Sequence, residues 1–169
     1  VELFKHAEHK FEDKNPKCKK YGFTPLYDAA VHGYMEICQL IMERLQTKNP
    51  GTNSGNTPLH SAAKYGYLDV CQLIIGQILD KNPRANDGST PLHNAAQNGH
   101  SKVCSILLEN NADKNPTNNS GHTPLHLAAS KGHSKVCSVL LENQVNKNPT
   151  NSNGDTPLHL AASEGEDQA

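Results

Sequence analysis

Apolar residues recur along this chain in two alternating arrangements. Leu59, Ala62 and Ala63 fall at i, i+3 and i+4, which is one face of a helix. A few residues later Val70, Cys71, Leu73, Ile74 and Ile75 form a wider apolar stripe, suited to burial between layers. Polar and special residues punctuate the two. Thr57 is a good N-cap, and Pro58 takes the first helical position, where a missing N–H costs nothing. Gly66 can adopt φ > 0 and stop the first helix. The second helix is expected from about Leu68 to Leu79. Lys81-Asn82-Pro83 then ends it, because the residue before a proline is pushed out of the α region. Arg84 to Gly88 reads as a turn, with Asp87-Gly88 favouring a tight reversal. The unit is therefore helix, turn, helix, projecting loop.

That unit repeats. Thr-Pro-Leu begins at Thr24, Thr57, Thr90, Thr123 and Thr156, always 33 residues apart. Gly22, Gly55, Gly88, Gly121 and Gly154 keep the same period, as do the Ala pairs that start at Ala29, Ala62, Ala95, Ala128 and Ala161. Gly33, Gly66, Gly99, Gly132 and Gly165 follow, and then Cys38, Cys71, Cys104 and Cys137. Lys-Asn-Pro closes each unit, with one extra residue between Pro16 and Thr24.

Gly-Asn-Thr-Pro-Leu-His-Ser-Ala-Ala at 55–63 resembles the ankyrin repeat, whose period is about 33 residues with a Thr-Pro-Leu-His-x-Ala signature. The resemblance covers nearly the whole chain. It implies an all-α fold, an ankyrin-repeat solenoid of stacked antiparallel helix pairs with β-turn fingers. Three departures stand out. The usual Asp-Val-Asn-Ala before the finger is mostly Asp-Lys-Asn-Pro or similar. The Asp that opens the finger is replaced by Thr52, Ala85, Asn118 and Asn151. Tyr27 stands where the later units have His60, His93, His126 and His159. The first two changes bear on finger stiffness.

One domain over 1–169 is expected. It comprises a partial repeat at 1–16, whole repeats at 17–50, 51–83, 84–116 and 117–149, and a partial repeat at 150–169. Val1–Asp13, with Leu3, Phe4 and Ala7, reads as a second helix alone, and Thr156–Glu164 as a first helix alone. Solenoids usually end in polar caps, and neither end reads as one. A piece of a longer repeat protein is the expectation, with the half-repeats acting as caps the alternative.

Composition narrows the function. Only 35% of residues are hydrophobic, and Trp is absent, which suits a thin slab better than a spherical core. The formal net charge of −1 gives no field to draw nucleic acid or anionic lipid, so neither is an expected partner. No apolar run approaches the roughly 20 residues of a membrane helix.

Five cysteines and ten histidines invite a zinc reading, which their spacing opposes. Zinc sites pair ligands closely in sequence. Here Cys38, Cys71, Cys104 and Cys137 occupy one position in successive layers. Helix axes about 8–10 Å apart exceed the roughly 7 Å Cα separation a disulfide tolerates. These thiols read as small buried apolar groups and weakly favour an intracellular, reducing setting. Cys18, flanked by Lys17, Lys19 and Lys20, is expected to be exposed, with its thiolate favoured by the cations. In ankyrin repeats the Thr and His of the motif hydrogen-bond locally and to the next repeat. The resemblance assigns that role to Thr57 with His60, Thr90 with His93, and Thr123 with His126. A periodic array spreads its residues out, whereas catalysis needs them to converge. No enzyme, cofactor or metal is expected.

Function then falls to positions that differ between repeats. The resemblance places these at the finger tips and the exposed end of the first helix, along a concave face. Carried over, they include Tyr21, Phe23, Val31 and His32, then Asn53, Ser54, Asn56, Lys64 and Tyr65. The later units add Asn86, Asp87, Ser89, Gln97 and Asn98, Asn119, Ser120, His122, Ser130 and Lys131, and Ser152, Asn153, Asp155, Ser163 and Glu164. Aromatics gather in the first two units, beside the basic loop, which points to a partner gripping that half at an acidic patch. The competing reading has Tyr21 and Phe23 merely covering a seam. The near-identical segments from His100 and His133 read as a duplication, and Asn118-Asn119-Ser120 is a sequon by pattern only. The expected role is a monomeric, non-catalytic scaffold or adaptor that binds another protein. The alternative is the targeting or regulatory segment of a larger enzyme, kinase or channel.

Overall fold

Each first helix begins at a Thr-Pro pair and each second helix one residue after a ring-bearing residue. A computed structural model describes residues 16–44 and 48–166, with side chains described to 163. The helix expected over Val1–Asp13 lies outside the described residues. Within them the helices are α1 (Pro25–Val31), α2 (Met35–Met42), α3 (Pro58–Tyr65), α4 (Leu68–Ile75), α5 (Pro91–Gln97), α6 (Ser101–Glu109), α7 (Pro124–Ser130), α8 (Ser134–Glu142) and α9 (Pro157–Glu166). Thr24, Thr57, Thr90 and Thr123 are extended N-caps, each followed by proline. In α3 the cap is a reciprocal box, in which Thr57 and His60 each satisfy a donor of the other.

The helices form two rows. The first helices α1, α3, α5, α7 and α9 pack in series, as do the second helices α2, α4, α6 and α8, and α1, α3, α5 and α7 each pack on the second helix that follows. Leu26, Leu59 and Leu92 fill the first row, with Ala62, Ala63, Ala95 and Ala96 fully buried between layers. Small alanines let these backbones approach closely. The second row is lined by Val70, Ile74, Val103, Leu107, Val136 and Leu140, all buried. Burying one such side chain contributes about 1.5–3 kcal/mol, so many thin layers together hold what no single layer could.

Helix α4 is shorter than the sequence suggests. It ends at Ile75, and Leu79, expected at its last turn, is fully exposed. Gly76, a poor helix residue, follows at once. The Lys81 ammonium turns back onto the carbonyls of Ile75 and Ile78, which supplies donors to the helix end. The helix has stopped before Pro83 can act. Helix α6 exits differently, through Asn111 at φ 64°, whose N–H bonds to the Leu108 carbonyl while that of Ala112 reaches Leu107.

Between the helix pairs, the fingers are joined backbone to backbone. Within each, one N–H closes the turn, as Thr52 does to Asn56 and Ala85 to Ser89. Across them, the N–H of Asn53 bonds to the carbonyl of Tyr21, Asn86 to Ser54, Asn119 to Asp87 and Ser152 to Ser120. Gly88, at φ 78°, lies under the next finger, and a Cβ there would stand 2.5 Å from Oδ1 of Asn119. Only glycine satisfies both the left-handed turn and the close approach.

Candidate functional site: the ladder and the variable surface

The buried threonines and histidines of the motif are spoken for. The N–H of Thr57, Thr90 and Thr123 each donates to Nδ1 of the histidine three residues on, at 3.1 Å in every case. Each imidazole therefore carries its proton on Nε2, which donates onward to a finger carbonyl of the next repeat. His60 reaches Ser89 at 3.0 Å, His93 reaches His122 at 2.9 Å and His126 reaches Asp155 at 3.0 Å. Burial holds all three below the ordinary imidazole pKa, His93 at about 4. Neutral imidazoles with both nitrogens engaged join helix to finger and layer to layer. In the first unit the rung is missing. Tyr27 instead stacks on Phe23 at 4.8 Å.

The variable positions have a different character. Tyr21 is exposed and stacks on Phe23 at 5.3 Å, so Phe23 lies between two tyrosines and is half-buried. The Lys20 ammonium stands 4.8 Å from the Tyr21 ring centre, and that of Lys64 5.7 Å from exposed Tyr65. Such contacts contribute about 0.5–1 kcal/mol at exposed sites. His32 stacks on Tyr34 and bonds through Nδ1 to the Asp28 carbonyl. Gln97, Asn98 and Lys131 are exposed, with the Asn98 amide donating to the Asn94 carbonyl.

A family model described as ankyrin repeats matches residues 1–85, 42–118, 74–151 and 110–169. This chain belongs to the ankyrin repeat family. Ankyrin repeats generally mediate protein–protein interaction and are typically non-catalytic. A comparison with curated proteins finds none that matches.

Several residues expected on the ankyrin binding surface are hydrogen-bonded within the fold. Ser89 is buried, with its N–H and hydroxyl donating to the two carboxylate oxygens of Asp87 at 2.9 and 3.0 Å. That corrects its place among the contact residues. The same pair solves a problem of its finger. Asn118 and Asn151 open their fingers by accepting two backbone N–H bonds each through Oδ1. Ala85 has no such oxygen, and Asp87 supplies it from two residues on. The finger-tip amides of Asn53, Asn86 and Asn119 are also engaged, each donating to a carbonyl of the preceding finger, at 3.0–3.3 Å. Asn56 donates to the Ser54 hydroxyl, and His122 is half-buried, its Nε2 3.1 Å from the Asn151 amide.

Cys38, Cys71 and Cys104 are buried, and burial pushes their thiols up to about 11, 12 and 12. Cys137 differs from the expectation, since it is only half-buried. Cys18 is exposed and its pKa is lowered, as expected, though for another reason. Backbone hydrogen bonds from Tyr21 and then Phe23 in the tight loop do this, rather than the flanking lysines. Among the described residues no three His, Cys, Asp or Glu gather as metal ligands would, and no helix is long and apolar enough to cross a membrane.

Sequence reasoning missed the cation–aromatic pairs. Lys20-Tyr21 and Lys64-Tyr65 are adjacent in sequence, and that adjacency is the signal that could have found them.

Proposed function

We propose that this chain is a non-catalytic scaffold that binds another protein along the side formed by its finger tips and first-helix ends, with the firmest hold on the first two whole repeats. The observation that carries the reading is the pairing of an exposed tyrosine with a lysine in each, Tyr21 with Lys20 and Tyr65 with Lys64. Rigid aromatic surface costs little entropy to immobilise and concentrates binding energy. The lysine heads add attraction for an acidic segment, as do Lys17 and Lys19 in the neighbouring loop. Phe23 serves mainly as the floor under Tyr21. His32, Gln97, Asn98 and Lys131 extend the same side.

The experiment is an affinity capture with two baits, the parent chain and a Tyr21→Ala/Tyr65→Ala variant, after circular dichroism shows equal helical content. Proteins retained by the parent and lost by the variant are expected. Identical capture by both baits removes these tyrosines from the interface.

A further inference from the structure

Among the described residues the second helices end in two different ways, although Lys48, Lys81, Lys114 and Lys147 stand 33 residues apart. Helices α6 and α8 are nine residues long and exit through Asn111 at φ 64° and Gln144 at φ 61°. The N–H groups of those two residues donate to the carbonyls of Leu108 and Leu141, at 3.1 and 3.0 Å. The next N–H reaches one residue further back, from Ala112 to Leu107 and from Val145 to Leu140. Ala112 and Val145 are then buried, at 6% and 5% exposure, while Lys114 and Lys147 are exposed.

Helices α2 and α4 are eight residues long and end the other way. Ile75 is the equivalent of Leu108, and its carbonyl takes the Lys81 ammonium where Leu108 takes the N–H of Asn111. The same ammonium reaches the Ile78 carbonyl at 2.5 Å. Lys48 likewise turns back onto the carbonyl of Met42. Both lysines are half-buried. Ile78, the equivalent of Asn111, stays out of the left-handed region and packs against the core. Leu79, the equivalent of Ala112, is 100% exposed. The physical reason lies at one position. A left-handed backbone tolerates asparagine and is costly for a β-branched side chain. Isoleucine at 78 opposes the first ending, and lysine supplies the donors that the backbone supplies in α6 and α8. What the second ending gives up is the burial of a leucine.

We propose that the exit of α4 is a two-position device in which the Lys81 ammonium holds Leu79 outward. In the inward position Ile78 turns left-handed, and its N–H replaces the ammonium on the Ile75 carbonyl. The Leu79 N–H closes on Ile74, and Leu79 takes the buried place that Ala112 and Val145 hold in their own layers. Lys81 is then exposed, as Lys114 and Lys147 are. The charge on one side chain is thereby linked to the apolar surface offered by another, and an anionic group that draws Lys81 off the helix end withdraws Leu79. The device does not rest on the tyrosine–lysine reading of function.

Amide hydrogen exchange on the full chain, read residue by residue by NMR, tests it. In the parent, the Leu79 N–H should exchange at least tenfold faster than those of Ala112 and Val145. Lys81→Met keeps an apolar stem and removes the ammonium, and Ile78→Asn admits the left-handed turn. Each should slow exchange at Leu79, and the two together should slow it at least tenfold. Ala112 and Val145, as protected as in the parent, report that the stack is intact. The reverse change in another layer gives a second reading, should the α4 variants fail to fold. Asn111→Ile should turn Lys114 inward and speed exchange at Ala112 at least tenfold. A Leu79 N–H as protected in the parent as that of Ala112 overturns the proposal. So does one that stays unprotected in the double variant, or unchanged exchange at Ala112 in Asn111→Ile. Lys81→Met with exchange at Leu79 as in the parent overturns the role given to the ammonium.

Discussion

The Nε2–H of His93 donates to the carbonyl of His122 at 2.9 Å, joining two repeats across 29 residues of sequence. The bond that Nδ1 accepts from the Thr90 N–H requires a neutral ring, whereas the Nε2–H donor is present in either protonation state. Burial lowers the folded pKa of His93 from 6.5 to about 4. Between those values the unfolded chain binds more protons than the folded one, so stability rises with pH there. It is fully present above about pH 6.5 and is lost as pH falls towards 4. The cost from His93 alone is on the order of 3 kcal/mol at the acid end. His60 and His126 shift in the same direction. Urea unfolding at pH 7.5, 6 and 5 should show this decline, and His93→Gln should make it shallower while lowering stability at pH 7.5.

Two glycines with one backbone conformation should respond differently to alanine. Gly66 has φ 74° and Gly132 has φ 67°, so each substitution costs about 1–2 kcal/mol of left-handed strain. At Gly66 the new methyl also meets the His100 ring, whereas at Gly132 it enters open space. Gly66→Ala should be the more destabilising by about 1 kcal/mol or more, as overpacking commonly is. Thermal denaturation of the two variants side by side checks it, and equal losses would contradict the seated ring.

Gln144 leaves α8 at φ 61°, a position that asks for glycine or asparagine. Gln144→Gly should raise stability by up to about 1 kcal/mol, by removing a strain the side chain does nothing to offset. Asn111, at φ 64° after α6, already has a tolerant side chain, and Asn111→Gly should change little. Denaturant midpoints for both variants decide the matter.

The thiols should alkylate in a definite order. Cys18, exposed and with its thiolate favoured by loop N–H groups, reacts first. Cys137, half-buried, follows. Cys38, Cys71 and Cys104 wait for unfolding. A time course with iodoacetamide, resolved by peptide mass spectrometry, tests the order. Early modification of Cys71 would mean the stack opens locally.

The repeat and its two helices were legible in the chain because they rest on neighbours within a few residues, and the Thr–His cap followed from the family resemblance. N-capping, proline at the first helical turn and glycine at φ > 0 are local physics, and a period of 33 copies each local solution. Where the chain crosses from one layer to the next, the sequence was silent or misleading. Ser89 looked like a contact residue, and only the folded finger showed its hydroxyl turned to Asp87. Asn53, Asn86 and Asn119 were read only as variable finger-tip positions, and their amides bind the preceding finger, across a gap no local pattern measures. Leu125 and Leu158 hold the same place in the motif, and one is buried and the other bare. Burial is a property of what lies alongside, so equivalence in sequence determined their shape of environment, and stacking alone decided whether it was filled.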